Sequence, residues 1–229
     1  MIRSRQASAA LKVIPNGSVT SPRGFLAAGG YAGIKKSFRK LDVSLIYSET
    51  PCVAAGTFTT NRVKAWPLLY DLKMIKGRTH RAIFVNSGNA NCFNGRTGRQ
   101  AVSVAVRLVS KELNIPRREI FLASTGVIGR PFPIPRVRSA IPQLVRDLSK
   151  RGGHDAARGI LTTDTHPKET AVRFWVDRRA VTLAAMAKGA GMVCPDMKAP
   201  GKHRGSAAGR HATMLCFLTP DLSISKPML

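Results

Sequence analysis

The chain has 229 residues, of which 44% are hydrophobic, and a formal net charge of +25 at pH 7. The hydrophobic content excludes a disordered chain, and no apolar run is long enough to cross a bilayer, so the composition predicts a globular protein without a membrane span. Lysine and arginine are scattered through every segment and no recognition-helix or zinc-finger pattern is present, so a generally basic surface is favoured over a nucleic-acid-binding protein, which stays open as an alternative.

The first third of the chain predicts a basic lead, a loop and a pair of strands. Residues 1–16 are basic and contain no Asp or Glu, which indicates a lead that precedes the folded part. The glycine- and alanine-rich stretch from Gly24 to Gly33 predicts a loop. Residues 42–47 predict a strand, and residues 54–59 predict its hairpin partner across the turn-like Glu49-Thr50-Pro51.

The middle of the chain places two polar, glycine-containing tracts after apolar strands. Residues 81–85 predict a strand that runs into the tract NSGNAN at 86–91, which we interpret as a tight loop that shapes a pocket. Residues 99–113 have the periodicity of an amphipathic helix. A strand at 120–123 then leads into STGVIG at 124–129.

The last part adds two helices, a loop and three strands, and the mixture predicts an α/β layered sandwich. Helices are predicted at 135–148 and 154–159, a turn-rich loop at 162–167, a hairpin of strands at 172–176 and 181–187, and a buried strand in the apolar run 214–218.

Cysteine and histidine spacing gives no sign of a metal site or a disulfide framework. The four cysteines, Cys52, Cys92, Cys194 and Cys216, lie far apart without a CxxC motif, and the histidines have no ligand pattern. We therefore predict no metal and no cofactor, and the cysteine usage fits a reducing compartment.

Several tracts together resemble one enzyme family, the ornithine acetyltransferases, also called glutamate N-acetyltransferases. The tracts are NSGNAN, STGVIG, TTDTHPKE at 162–169, AKGAGMVCPDM at 187–197 and ATML at 212–215, and the resemblance covers residues 17–221. It implies an α-β-β-α sandwich with mixed sheets. It also implies a cytoplasmic enzyme of arginine biosynthesis that moves acetyl from N-acetylornithine to glutamate, assembles as an α2β2 heterotetramer and, in some members, accepts acetyl-CoA.

The resemblance also implies a set of site residues. The bond between Ala212 and Thr213 is cut by the protein itself, and the freed Thr213 is the nucleophile, since its new α-amine, with a pKa near 8, is a base for its own hydroxyl. Thr125 and Gly126 form the oxyanion hole, whose donors stabilise the tetrahedral intermediate. Thr162 and Lys188 bind the substrate together with Thr213.

The chain departs from the family pattern at two places. A basic, turn-prone stretch, residues 198–211, intervenes before the cleavage site, where the family has Ala-Thr directly after the methionine. The part after the cut, 213–229, is short, so we expect an α-chain domain at 17–212 followed by a truncated β chain. An inactive remnant, or an α subunit that needs a separate β chain, is therefore the alternative to an active acetyltransferase.

Overall fold

The computed structural model describes residues 11–189, 197–198 and 214–229, with only the backbone of 197–198. In these ranges the strands are β1 (Lys12–Val13), β2 (Phe25–Gly30), β3 (Val43–Cys52), β4 (Phe58–Thr59), β5 (His80–Asn89), β6 (Ile120–Val127), β7 (Lys168–Val176), β8 (Arg179–Lys188), β9 (Met197–Lys198) and β10 (Leu215–Pro220). The helices are α1 (Trp66–Met74), α2 (Gly95–Leu113), α3 (Ile134–Arg146) and α4 (Gly153–Gly159).

Two four-stranded sheets form the centre of the fold. Sheet I has the strand order β2-β3-β5-β6, and sheet II has the order β1-β7-β8-β10. β5 and β6 pair in parallel, as their connection through α2 requires, whereas the other pairs in both sheets are antiparallel. A short ladder joins β4 to β9.

Helices α2 and α3 cover one face of sheet I. The buried side of α2 carries Val102, Ala105 and Val109, spaced by three or four residues, and these pack into the same core as β3, β5 and β6. The helix ends at Asn114, whose left-handed backbone (φ 50°) is a common helix terminator. The helix predicted for 99–113 is thus confirmed, and α3 confirms the one predicted for 135–148.

The other face of sheet I packs against sheet II. Ile46 and Val85 of sheet I share a core cluster with Met186 of sheet II, and Ala156 of α4 closes it at one side. The layers follow one another in the order helices, sheet I and sheet II. This order confirms the predicted mixed α/β layered sandwich. Among the helices described, only α4 makes more than marginal contact with sheet II, and it does so from the inner side.

The prediction of a loop at Gly24–Gly33 is wrong, because most of this stretch is strand β2. The small residues serve close packing rather than flexibility. A Cβ atom on Gly29 would lie 2.1 Å from the carbonyl oxygen of Asp155, so only glycine lets α4 approach the sheet. The glycines therefore indicate a close helix–strand contact. In the sequence, such a glycine-rich stretch cannot be told from a loop.

The predicted hairpin between residues 42–47 and 54–59 is also wrong. β3 is a strand, but its partners are β2 and β5, and it continues through Glu49 and Pro51. The guanidinium of Arg81 donates hydrogen bonds to the carbonyls of Ser48 and Glu49, which holds this stretch extended. Helix α1 follows this region and was not predicted from the sequence.

The predicted N-terminal lead is partly inside the fold. Lys12 and Val13 pair with Arg173 and Val172, and the amide of Ile14 donates to Ala171 at 2.8 Å. Lys12 and Val13 therefore add a short strand to sheet II. The boundaries expected at 17 and between 212 and 213 remain predictions.

The strand predicted at 214–218 is present as β10 but is not buried as expected. Leu218 is 58% exposed, whereas its neighbour Thr219 is 2% exposed. Among the described strands β10 pairs only with β8, which places it at an edge of sheet II. None of the helices in the described residues is long and apolar enough to span a membrane.

Candidate functional site

The candidate site lies where the parallel strands β5 and β6 end. Their register places Ser87 opposite Thr125 and Gly88 opposite Gly126, so the tracts NSGNAN and STGVIG lie side by side. The tract 86–91 was predicted as a loop, but β5 continues through Asn89. The carboxyl ends of parallel strands are a common location for ligand sites in α/β folds.

Gly126 cannot be replaced by a residue with a side chain at this position. Its φ of 128° lies in the region that favours glycine, and a Cβ atom would lie 2.4 Å from the carbonyl carbon of Gly88. Gly88 itself has a φ of 101°. The two facing glycines bring the backbones of β5 and β6 close together directly after Thr125.

Lys188 reaches this strand end from sheet II. Its ammonium group donates a hydrogen bond to Thr125 Oγ1 at 3.0 Å, and the two residues are 5% and 1% exposed. Burial lowers the pKa of Lys188, and this effect is partly offset by the negative charge of Asp164. Because an ammonium only donates, the Thr125 oxygen accepts from it and keeps its own hydroxyl proton for another acceptor.

Asp164 joins the 162–167 loop to the end of β8. Its Oδ1 accepts hydrogen bonds from Lys168 Nζ at 2.5 Å and from the Gly189 amide at 2.9 Å. Burial raises the pKa of Asp164, but these hydrogen bonds and the amide of Thr162 outweigh it and lower the pKa to about 2. The carboxylate is therefore charged at neutral pH and fixes the loop of Thr162 beside Lys188.

The structure brings together four of the residues predicted for the site. Thr125 and Lys188 are in contact, Gly126 follows Thr125, and Thr162 lies in the loop that Asp164 ties to Gly189. The cleavage residues Ala212 and Thr213 lie outside the described residues. The description resumes at Met214, and the next residue, Leu215 of β10, pairs with Lys188.

Lys35 is a neighbour of this site that the sequence analysis missed. A Cβ atom on Gly88 would lie 3.3 Å from Lys35 Cγ, so the lysine stem packs over the glycine pair. The pKa of Lys35 is lowered to about 8, mainly by burial. The positive charge of Lys188 also lowers it, and the negative charge of Asp42 opposes the shift. In a chain with 37 lysines and arginines, no sequence signal distinguishes this one.

The asparagines of the NSGNAN tract hold the strand ends in place, as a structural role requires. Asn86 accepts from Ser124 Oγ at 2.5 Å and donates to the carbonyl of Asn89 at 2.8 Å. Asn91 donates to the carbonyl of Gly98 in α2 at 3.1 Å. Among the described residues, no cluster of three or more His, Cys, Asp or Glu side chains forms a metal-binding group.

Curated relatives match nearly the whole chain. A protein of Dehalococcoides mccartyi named arginine biosynthesis bifunctional protein ArgJ is 41% identical over 220 residues, which are 96% of this chain and 50% of that protein. A glutamate N-acetyltransferase of Methanocaldococcus jannaschii is 43% identical over 217 residues, 93% of this chain and 49% of that protein. The chain thus spans about half the length of the curated relatives it matches.

Solved structures have the same fold. The arginine biosynthesis bifunctional protein argJ of Bacillus halodurans matches with a TM-score of 0.78 and 33% identity, over 83% of this chain and 100% of that chain. An ornithine acetyltransferase of Mycobacterium tuberculosis, solved with ornithine, matches with a TM-score of 0.77 and 34% identity, over 82% of this chain and 100% of that chain. With a family model that also matches residues 26–229, these similarities show that the chain belongs to the ArgJ family.

Proposed function

We propose that this chain is the α-type half of a cytoplasmic arginine-biosynthesis acetyltransferase that moves acetyl from N-acetylornithine to glutamate. The observation that carries the proposal is the buried hydrogen bond between Lys188 and Thr125 at the end of the parallel strands. It joins two motifs that lie far apart in the sequence into one polar site. The names of the relatives, arginine biosynthesis bifunctional protein and glutamate N-acetyltransferase, support the reaction.

In this proposal Thr125 and Gly126 stabilise the oxyanion. Acyl transfer passes through a tetrahedral intermediate, whose negative oxygen needs donors that are already in place. The Lys188 ammonium donates to one lone pair of Thr125 Oγ1, so the threonine hydroxyl proton is available to the oxyanion together with the Gly126 amide. The facing glycines, Gly88 and Gly126, fix the backbone that carries both donors.

The nucleophile in this proposal is Thr213. It precedes Leu215 by two residues, and Leu215 pairs with Lys188. This short separation along the chain supports the proposal that Thr213 acts in the same site as Lys188. After the N-to-O acyl shift and hydrolysis at Ala212, the α-amine of Thr213 takes the proton of its own hydroxyl.

Substrate binding in this proposal rests on Lys188 and Thr162. A buried ammonium attracts the α-carboxylate of glutamate or N-acetylornithine, and Lys188 lies at the strand end where it also contacts Thr125. Asp164 keeps the loop of Thr162 in place and neutralises part of the local positive charge. Acetyl-CoA as a donor, and an α2β2 assembly, belong to the same proposal.

The lengths of the relatives support self-cleavage. The Bacillus halodurans and Mycobacterium tuberculosis chains are covered completely by about four fifths of this chain, whereas curated relatives are covered only to about half. A precursor cut near its middle accounts for both values. The cut predicted here lies at Ala212-Thr213, inside the region that the family model matches.

The test is the intact mass of the purified protein beside the variant Thr213→Ala. We expect the wild type to yield two masses, those of residues 1–212 and 213–229, and the variant to stay whole, because the cut requires the threonine hydroxyl. Acetyl transfer from N-acetylornithine to glutamate is then assayed on the cut protein. An uncut wild type removes the self-cleaving mechanism from this chain, and a cut chain without transfer identifies a subunit that needs a further chain.

A further inference from the structure

A second concave site lies on the side of α1 and α2, apart from the Lys188–Thr125 contact. It is a cleft of about 480 Å³ between the loop before α1, the first turns of α1 and the turn before α2. Its walls combine two cations with four apolar side chains, namely Arg62, Lys64, Val63, Trp66, Leu69 and Phe93. Among its described lining residues there is no Asp or Glu, so the cleft attracts anions.

The apolar wall of this cleft is unusually exposed. Phe93 is 76% exposed, Val63 is 52% exposed and Leu69 is 36% exposed. Phe93 also has a φ of 55°, a backbone conformation that bulky residues rarely adopt. Exposed apolar side chains that share one concavity are typical of a ligand site, whereas single ones scattered over a surface are not.

Hydrogen bonds within the protein hold the walls of the cleft in place. The Val63 amide donates to Asn61 Oδ1 at 3.0 Å, and the Lys64 ammonium donates to the carbonyl of Asn61. The Trp66 amide donates to the carbonyl of Asn91 at 3.1 Å, which ties the loop to the end of β5. A preformed cleft binds at lower entropic cost than one that must be ordered.

We propose that this cleft binds a nucleotide-type phosphate ester, with its flat ring on Phe93 and Trp66 and its phosphates at Arg62 and Lys64. The volume lies within the range of about 300–1,000 Å³ for small-molecule pockets. Aromatic side chains stack on bases of any sequence, and arginine pairs with phosphate through two parallel hydrogen bonds. The proposal goes beyond acyl transfer and does not depend on it.

The test uses the fluorescence of Trp66. The chain has two tryptophans, so Trp175→Phe leaves Trp66 as the single reporter. In this background, at 150 mM salt, the protein is titrated with ADP, with adenosine and with inorganic pyrophosphate. We expect ADP to quench Trp66 saturably, and adenosine and pyrophosphate to bind at least roughly tenfold more weakly, because each offers only half of the recognised groups.

Matched variants locate the binding in the cleft. Phe93→Ala and Arg62→Gln should each weaken ADP binding roughly tenfold. Phe38→Ala and Arg39→Gln are the controls, because Phe38 is 73% exposed, carries Arg39 over its ring, and lies outside the cleft. Both controls should bind ADP as the parent does.

Three outcomes overturn the proposal: no saturable quenching by ADP, pyrophosphate binding as tight as ADP binding, or equal loss in the Phe93 and Phe38 variants. No outcome depends on cleavage or acetyl transfer, so the proposed function and this site fail or stand separately.

Discussion

Asp71 brings a carboxyl group into the core beside β6. Its Oδ1 accepts a hydrogen bond from the Leu122 amide at 3.0 Å, and the residue is 9% exposed. Burial raises the pKa of Asp71 well above its ordinary value, and the Leu122 hydrogen bond opposes this only in part. A charged Asp71 therefore costs stability, whereas a neutral one is tolerated.

We predict that Asp71→Asn removes a pH-dependent loss of stability. The folded-state pKa is raised, so the favourable contribution of Asp71 is complete below its unfolded pKa of about 4 and is lost as pH rises through the folded-state pKa. The free energy of unfolding of the wild type should fall relative to the variant by up to about 1.4 kcal/mol per pH unit in that window. Urea denaturation from pH 4 to pH 8 measures this difference, and a constant difference contradicts the prediction.

At the residue scale, motifs predicted the site better than single residues did. Thr125, Gly126 and Lys188 stand in tracts with a recognisable order, and the structure brings these three together. Asp71 and Lys35 were missed because their role comes from burial. An aspartate in a helix, or a lysine in a basic chain, has an ordinary surface interpretation until its neighbours are known.

The C-terminal end of α1 depends on a distant side chain. Lys226 Nζ donates to the carbonyl of Gly77 at 2.7 Å and also to the carbonyl of Ile75, where helix carbonyls lack intrahelical partners. The nearby His80 is 2% exposed and its ring stacks on Phe121 at 4.4 Å. Burial lowers the pKa of His80, and the positive charge of Lys226 lowers it further.

We predict that Lys226→Met destabilises the fold at pH 8 and reduces its sensitivity to acid. Loss of the two hydrogen bonds should cost roughly 1 kcal/mol. The pKa of His80 is lowered in the folded state, so wild-type stability is lost as pH falls below the unfolded pKa of about 6.5. Removing the Lys226 charge raises the pKa of His80 and shrinks this loss.

Denaturation curves at pH 8 and pH 5 test this for the wild type, Lys226→Met and His80→Phe. The His80→Phe variant is the control, since it has no proton to gain and should lose the acid step at this position entirely. An unchanged pH dependence in both variants would place the acid sensitivity elsewhere.

Among the elements, amphipathic helices and apolar strands were predictable and glycine-rich strands were not. α2 and α3 show periodic apolar residues because one face meets sheet I and the other meets solvent. β2 carries Gly29 because α4 approaches it closely, and β6 carries Gly126 because the backbone of β5 lies against it. α1 escaped prediction because its sequence has a weak periodic pattern and buries Pro67 and Asp71.

At the scale of the whole molecule, the outer face of sheet II exposes apolar side chains. Alternation along β10 points Leu218 outward, at 58% exposed, and Thr219 inward, where its hydroxyl donates to the carbonyl of Val19 at 2.8 Å. The register pairs Leu218 with Ala185 and Thr219 with Ala184, so β8 continues the same two faces.

We predict that lysine at these adjacent positions has very different costs in stability. Leu218→Lys should change the free energy of unfolding by less than about 0.5 kcal/mol and lower self-association, measured by light scattering over a concentration series. Thr219→Lys buries a charge and breaks the bond to Val19, so it should cost more than about 2 kcal/mol. Equal costs at both positions would mean that β10 pairs one residue out of register.

The pairing of Lys188 with Leu215 has a practical consequence for protein engineering. The chain segment between these two residues leaves and rejoins sheet II at paired positions. Lengthening the segment therefore does not move its two ends apart. Each doubling of the length of such a segment adds only about 0.6 kcal/mol to the entropic cost of closing the loop. An epitope added to the chain between these two residues should therefore change the free energy of unfolding little, because Lys188 and Leu215 keep their pairing in sheet II.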